Sequence, residues 1–182
     1  MASRGQLEIR PRQGIFLGGS DSGDCAALLR EGFGALRLVA PSLTSSVCCD
    51  CGPAELTVLE GHTATLGRAL VEENFLLVWR SLTVFYLEVA KLARNRMVEK
   101  LLADICALIP ENGNVAGLPR IRRDALQNFF TAHVGLLQGL RSRNSTQTAQ
   151  LARDSLEELR HFLDASLAGR KSDDSSSGRV RQ

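Results

Sequence analysis

The stretch LLVWRSLTVFYLEVAKLA, residues 76 to 93, sets the terms for any fold of this chain. Its apolar residues Leu77, Val78, Leu82, Phe85, Val89 and Leu92 recur at spacings of three, four and one. That is the stripe of an α-helix with a wide buried face, and strand-like alternation is absent. So wide a stripe must be covered by several other elements, and from about residue 24 onward the rest of the chain reads as helical too.

Pro53 followed by AELTVLEGHTATLGRALVEE predicts a helix with proline in its first turn, where the missing amide proton costs nothing. Arg94 and Asn95 break the long apolar helix. RMVEKLLADICALI then resumes a stripe through Met97, Leu101, Leu102, Ile105 and Leu108, which Pro110 stops, and ENGNVAGLP is a loop. Between Arg120 and Arg143, the residues Ile121, Leu126, Phe129, Phe130, Val134, Leu137 and Leu140 share one side. Asn144-Ser145-Thr146 supplies a turn and an N-cap. The last helix is expected over residues 146 to 168, stopping at Gly169, and the polar RKSDDSSSGRVRQ that follows reads as a disordered tail over 170–182. About six helices with short links predict an all-α antiparallel bundle.

The chain has 182 residues, 44% of them hydrophobic and 23% charged, enough for one domain with a real core and short tails. A formal net charge of +2 excludes nucleic-acid binding spread over the whole surface, so any such contact must come from a local cluster. No window supplies the roughly 18 apolar residues of a membrane span, and the start lacks the order of a signal peptide, so a cytoplasmic location is expected with no membrane partner. Five cysteines, Cys25, Cys48, Cys49, Cys51 and Cys106, are an odd count that points to reduced thiols. Cys48, Cys49 and Cys51 in VCCDCG could form a soft-metal clip or a redox sensor, but the doubled CxxC pattern of zinc sites is missing and no fourth ligand is evident with His62 eleven residues on. Buried or incidental thiols are the favoured reading.

Two phrases, FYLEVAKLARNRMVEKLLADI and AHVGLLQGLRSRNSTQTAQLARDSLEELRHFL, resemble the all-helical FCD effector-binding domain of GntR-family transcription regulators. Phe85 to Asn95 is similar to the family phrase that closes one helix, and His133 to Asn144 to the phrase that opens the final pair. EIRPRQGIFL near the start resembles the wing hairpin that ends the family's winged helix-turn-helix. The resemblance thus implies a wing remnant over 1–18, a linker over 19–23 and an FCD-like domain over 24–169. It also implies a truncated regulator that lacks the helix-turn-helix, with DNA reached through the wing or a full-length partner, and a homodimer.

Many FCD domains hold a divalent metal with one aspartate and three histidines. Carried over residue by residue, the aspartate falls on Leu82 and the histidines on Tyr86, His133 and Ser155. One imidazole with a phenol and a hydroxyl cannot make the shell of three or four ligands that a stable site needs, so no metal and no cofactor is expected. The resemblance implies instead a pocket lined by Leu82, Tyr86, His133 and Ser155 for a small organic or acyl effector. For His133 a hydrogen-bonded core imidazole stands beside the ligand contact as an equal reading. An arginine that in this family pairs with ligand carboxylates falls on Arg37, but Ala40-Pro41 stands where an acidic residue would follow, and a solvated surface arginine is the competing reading.

Arg10, Arg12 and Gly14 would form the DNA-approaching tip of the wing, making phosphate contacts that carry little sequence information. No GxSxG elbow, P-loop, HExxH or GxGxxG is found, so no catalytic residues are assigned and an enzyme is not expected. The competing function is a helical protein-protein interaction module whose interior is filled by its own side chains.

Overall fold

The computed structural model describes residues 6–10, 14–18, 22–108, 121 and 126–177. Strands β1 (Gln6–Arg10) and β2 (Gly14–Gly18) form an antiparallel hairpin in which Gln6 faces Gly18 and Arg10 faces Gly14. Six helices follow among the described residues: α1 (Ser22–Val47), α2 (Pro53–Val71), α3 (Phe75–Leu92), α4 (Arg96–Cys106), α5 (Gln127–Arg141) and α6 (Ser145–Ser177). The fold is an all-α bundle, as the apolar spacing predicted. None of the helices searched is long and apolar enough to cross a membrane.

Five of the helices close a ring, because α1 packs on α6, α6 on α5, α5 on α2, α2 on α3 and α3 back on α1. Helix α4 lies along the α1–α3 seam. The element inside most of this is α3, which buries Phe75, Val78, Trp79, Leu82, Phe85, Tyr86, Val89 and Ala90. A helix that is apolar nearly all round can be stable only when neighbours surround it, and here α1, α2 and α4 do so.

Three corners between helices share one construction. Glu73, Arg94 and Arg143 adopt φ values of 54°, 50° and 53°, and each is followed by an asparagine. At two of them the amide of the left-handed residue and the next amide both turn back onto the ending helix: Glu73 onto Leu70 and Asn74 onto Ala69, Arg143 onto Leu140 and Asn144 onto Gly139. This closes the helix in the Schellman manner. The asparagine then caps the next helix, Asn74 accepting from the Leu77 amide, Asn95 from those of Met97 and Val98, and Asn144 from that of Gln147. Asn144→Ala is expected to lower stability by about 1 kcal/mol, read as a lower urea midpoint with an unchanged slope.

Helices α5 and α6 are joined by so short a corner that they run antiparallel, and Gly139 lets them approach closely. A methyl group on Gly139 would stand 2.6 Å from Thr148 Oγ1 and 3.2 Å from the Thr148 backbone. The Cys48 thiol at the end of α1 rests on the same spot, 3.7 Å from the Gly139 carbonyl oxygen and 3.5 Å from Thr148 Oγ1. Gly139→Ala gains about 1 kcal/mol of helix propensity but must spread α5 from α6 against an overpacking cost of about 1–3 kcal/mol. A net loss near 1 kcal/mol is expected in urea unfolding.

Some elements differ from the sequence reading. Helix α1 begins at Ser22, inside the expected 19–23 linker, and continues through Pro41. Helix α6 runs on to Ser177 rather than ending at Gly169. A lone glycine weakens a helix by about 1 kcal/mol without stopping it, and no proline follows. Met97 and Leu101, placed on the buried stripe, are 77% and 38% exposed, while Leu102 and Ile105 are buried. The loop over 111–119 and Pro110 lie outside the described residues.

Candidate functional site

Of the side chains that the resemblance implies together, Tyr86 and His133 lie near each other inside the closed ring. Leu82 and Tyr86 are one turn apart on α3, His133 projects from α5, and Ser155 lies on α6; all four are fully buried. Phe85 and Phe129 complete the cluster. The His133 ring lies 4.4 Å from that of Phe85, 6.0 Å from that of Phe129 and 6.4 Å from that of Tyr86, centroid to centroid. Phe85 meets Tyr86 edge-on at 5.3 Å. The α5 members Phe129 and His133 stand at i and i+4, which stacks them on one helix face. The Ser155 hydroxyl donates to the Phe129 carbonyl at 3.4 Å, tying α6 to α5 behind the cluster.

Several polar atoms of this interior lack partners. Both ring nitrogens of His133, the Tyr86 hydroxyl and the Trp79 indole nitrogen are sealed from solvent without a hydrogen bond. Leaving a buried donor or acceptor unmet costs about 1–3 kcal/mol each, so four such atoms in one core mark either a service to something else or a region where apolar replacements would be more stable. Burial alone pushes the His133 pKa down to about 3, and burial likewise raises that of Tyr86 far above its ordinary value. At neutral pH the imidazole is uncharged and the phenol keeps its proton.

This donor set does not fit a divalent ion. His133 is joined by a phenol held protonated, a serine hydroxyl already committed to a carbonyl and the Leu82 isobutyl group, and metal ligands must be unprotonated donors in a shell of three or four. Among the described residues no three of His, Cys, Asp and Glu converge.

Arg37 lies apart from the other four. Its side chain, 39% exposed, pairs with Glu157 at 2.6 Å across the α1–α6 seam, beside a surface groove of about 500 Å³. Glu157 also accepts from Arg160 at 2.5 Å, and these guanidinium partners hold its carboxyl below the usual range, Arg160 more than Arg37. Pro41, also on that groove, removes from α1 the amide that would donate to the Arg37 carbonyl, and separately the buried Thr44 hydroxyl donates to the Ala40 and Pro41 carbonyls. The alternative reading of Arg37 as a surface residue is the one its position matches.

Of the hairpin positions, Arg10 and Gly14 face each other where the two strands begin to turn, and Arg12 lies outside the described residues. Cys48 and Cys51 are buried and Cys49 is exposed. Burial first, then Glu55 and Cys48, raises the Cys51 thiol, which disfavours the thiolate that metal binding or redox chemistry requires. Trp79 was not singled out from the sequence, because a tryptophan on an apolar stripe looks like any other core residue; only its unmet indole nitrogen distinguishes it.

Solved structures share this architecture. A Streptococcus agalactiae GntR matches with a TM-score of 0.58 at 17% identity, over 85% of this chain and 74% of its own. E. coli McbR/YncC matches with a TM-score of 0.58 at 13% identity, over 87% of this chain and 77% of its own. Likeness at such identities establishes the fold. No protein-family model and no curated protein matches the chain.

Proposed function

We propose that this chain is a GntR-type transcription regulator whose helical ring receives a small effector and whose N-terminal hairpin takes part in DNA contact. The observation that carries the reading is the set of four unmet polar atoms on Trp79, Tyr86 and His133, sealed at the centre of the bundle. The fold shared with proteins called GntR and McbR/YncC supports it, as does the wing-like phrase around Arg10, Arg12 and Gly14.

An effector that meets those atoms in one arrangement of the ring, and not in another, shifts the balance between the two by its difference in affinity. The reading is of a binding protein and not an enzyme, acting as a homodimer on DNA. Arg10 and Arg12 would supply phosphate contacts, so binding should weaken steeply with salt.

The test is selection of DNA fragments from the source genome by the purified chain, with and without a ligand found by thermal-shift screening. The expected result is a defined fragment whose affinity changes with ligand and falls in Arg10→Ala. Retention of no fragment above competitor DNA would overturn the DNA part of the proposal.

One observation favours a second reading, an interaction module without ligand: the rings of Phe85, Tyr86, Phe129 and His133 already pack against one another at 4.4 to 6.4 Å. Under it, Tyr86→Phe would raise the melting temperature and alter no binding property.

A further inference from the structure

We propose that the outer face of α1 between Gly34 and Ser42, with the groove it shares with α6, is where a second copy of this chain docks about a two-fold axis. The inference rests on the homodimer of the reading above and deepens it by naming the surface. Gly34, Leu38, Pro41 and Ser42 recur at i, i+4, i+7 and i+8, one side of α1. A helix face turned to water is ordinarily charged. This stripe carries no charge, none stands anywhere in residues 38 to 49, and Leu38 is 82% exposed.

Gly34 is a second sign that something approaches here. A glycine inside a helix weakens it, and packing against a neighbour is the usual reason for one. A methyl group added to Gly32, Gly67, Gly135 or Gly139 would press on Leu108, Phe130, Leu151 or Thr148 in turn, whereas one added to Gly34 meets nothing in this chain. Gly61 shares that freedom on α2, which does not border this groove.

The groove, lined on its far side by Arg153, Asp154, Leu156 and Glu157, lies beside the protruding Leu38. A surface that carries its own knob and its own hollow complements itself when turned by half a revolution, so that Leu38 of each copy enters the groove of the other. The charges agree. Arg37 and Glu157 are paired with each other, while Arg153 and Asp154 share only the side-chain amide of Gln150, which accepts from the first at 3.4 Å and donates to the second at 2.8 Å. Neither has an ion partner among the described residues. A two-fold copy sets Arg153 of one chain against Asp154 of the other, twice over. A partner of single sign, such as a nucleic acid, would be repelled by one member of each pair.

The test is sedimentation equilibrium of the full chain over about 1 to 100 µM. The parent is expected to be a dimer. Leu38→Glu, which brings unpaired carboxylates into the contact, should keep the helical circular dichroism and raise the dissociation constant at least about a hundredfold. Gly34→Arg, with open space inside one chain, should act in the same direction, and Met97→Glu, on an exposed part of α4, should leave the constant unchanged. Arg153→Asp and Asp154→Arg should each weaken the dimer and together restore it. A dimer that survives both Leu38→Glu and Gly34→Arg would overturn this surface and leave the homodimer standing. A parent that sediments as a monomer throughout would overturn the two together.

Discussion

Acidification from pH 7 to about 4 is expected to remove on the order of 3 kcal/mol of stability through His133 alone. The imidazole titrates near 6.5 in the unfolded chain and near 3 in the folded one, where burial excludes its charged form. Protons therefore bind the unfolded state first. The stability present above about pH 6.5 declines by about 1.4 kcal/mol per pH unit as the pH falls toward 3, and the loss flattens below that. The measurement is urea unfolding across that window for the parent and for His133→Leu. Exposed carboxylates such as Glu157, whose lowered pKa acts in the same direction, contribute equally to both proteins and drop out of the difference. At neutral pH His133→Leu should be at least as stable as the parent, since it deletes two unmet buried nitrogens. Parallel pH profiles would show that His133 meets water or protons in the folded state.

Phe85→Ala is expected to cost about 3–5 kcal/mol, the range for emptying a fully buried aromatic site. The ring removed is the one between Tyr86 and His133, 5.3 Å from the first and 4.4 Å from the second. The space left is bordered by unmet polar atoms, so water can enter it where a purely apolar void would stay dry. Hydration would raise the His133 pKa toward its ordinary value, and the acid-dependent loss should shrink in this variant. Urea unfolding gives the first number and an NMR titration of His133 the second. A large loss of stability with an unchanged acid response would mean that the interior closes over the gap.

Those two results concern residues whose meeting was legible in the sequence to different degrees. The helices were, because a 3.6-residue period is local: the α3 stripe, Pro53 at the start of α2, and Asn95 and Asn144 at two corners all stood in plain view. The third corner, Glu72-Glu73-Asn74, did not; like the other two it contains no glycine and its left-handed residue carries a full side chain. Met97 shows the limit of periodicity. The α4 apolar residues can be threaded into a stripe through Met97 and Leu101 or one through Leu102 and Ile105, and only the neighbouring α3 and α1 decide which is covered. For the site, Leu82, Tyr86, His133 and Ser155 came from resemblance; all four are buried, and the Tyr86 and His133 rings lie 6.4 Å apart. Arg37 did not follow, because its partner Glu157 is 120 residues away and no local pattern announces the pair.

That separation bears on how the molecule is made. Helix α6 is held between α5 and α1, so the first long helix of the ring cannot find its covering until the last has been synthesised. While the ribosome is still adding residues 145 to 163, the face of α1 that α6 covers stands open, and the ring closes only once α6 has been made.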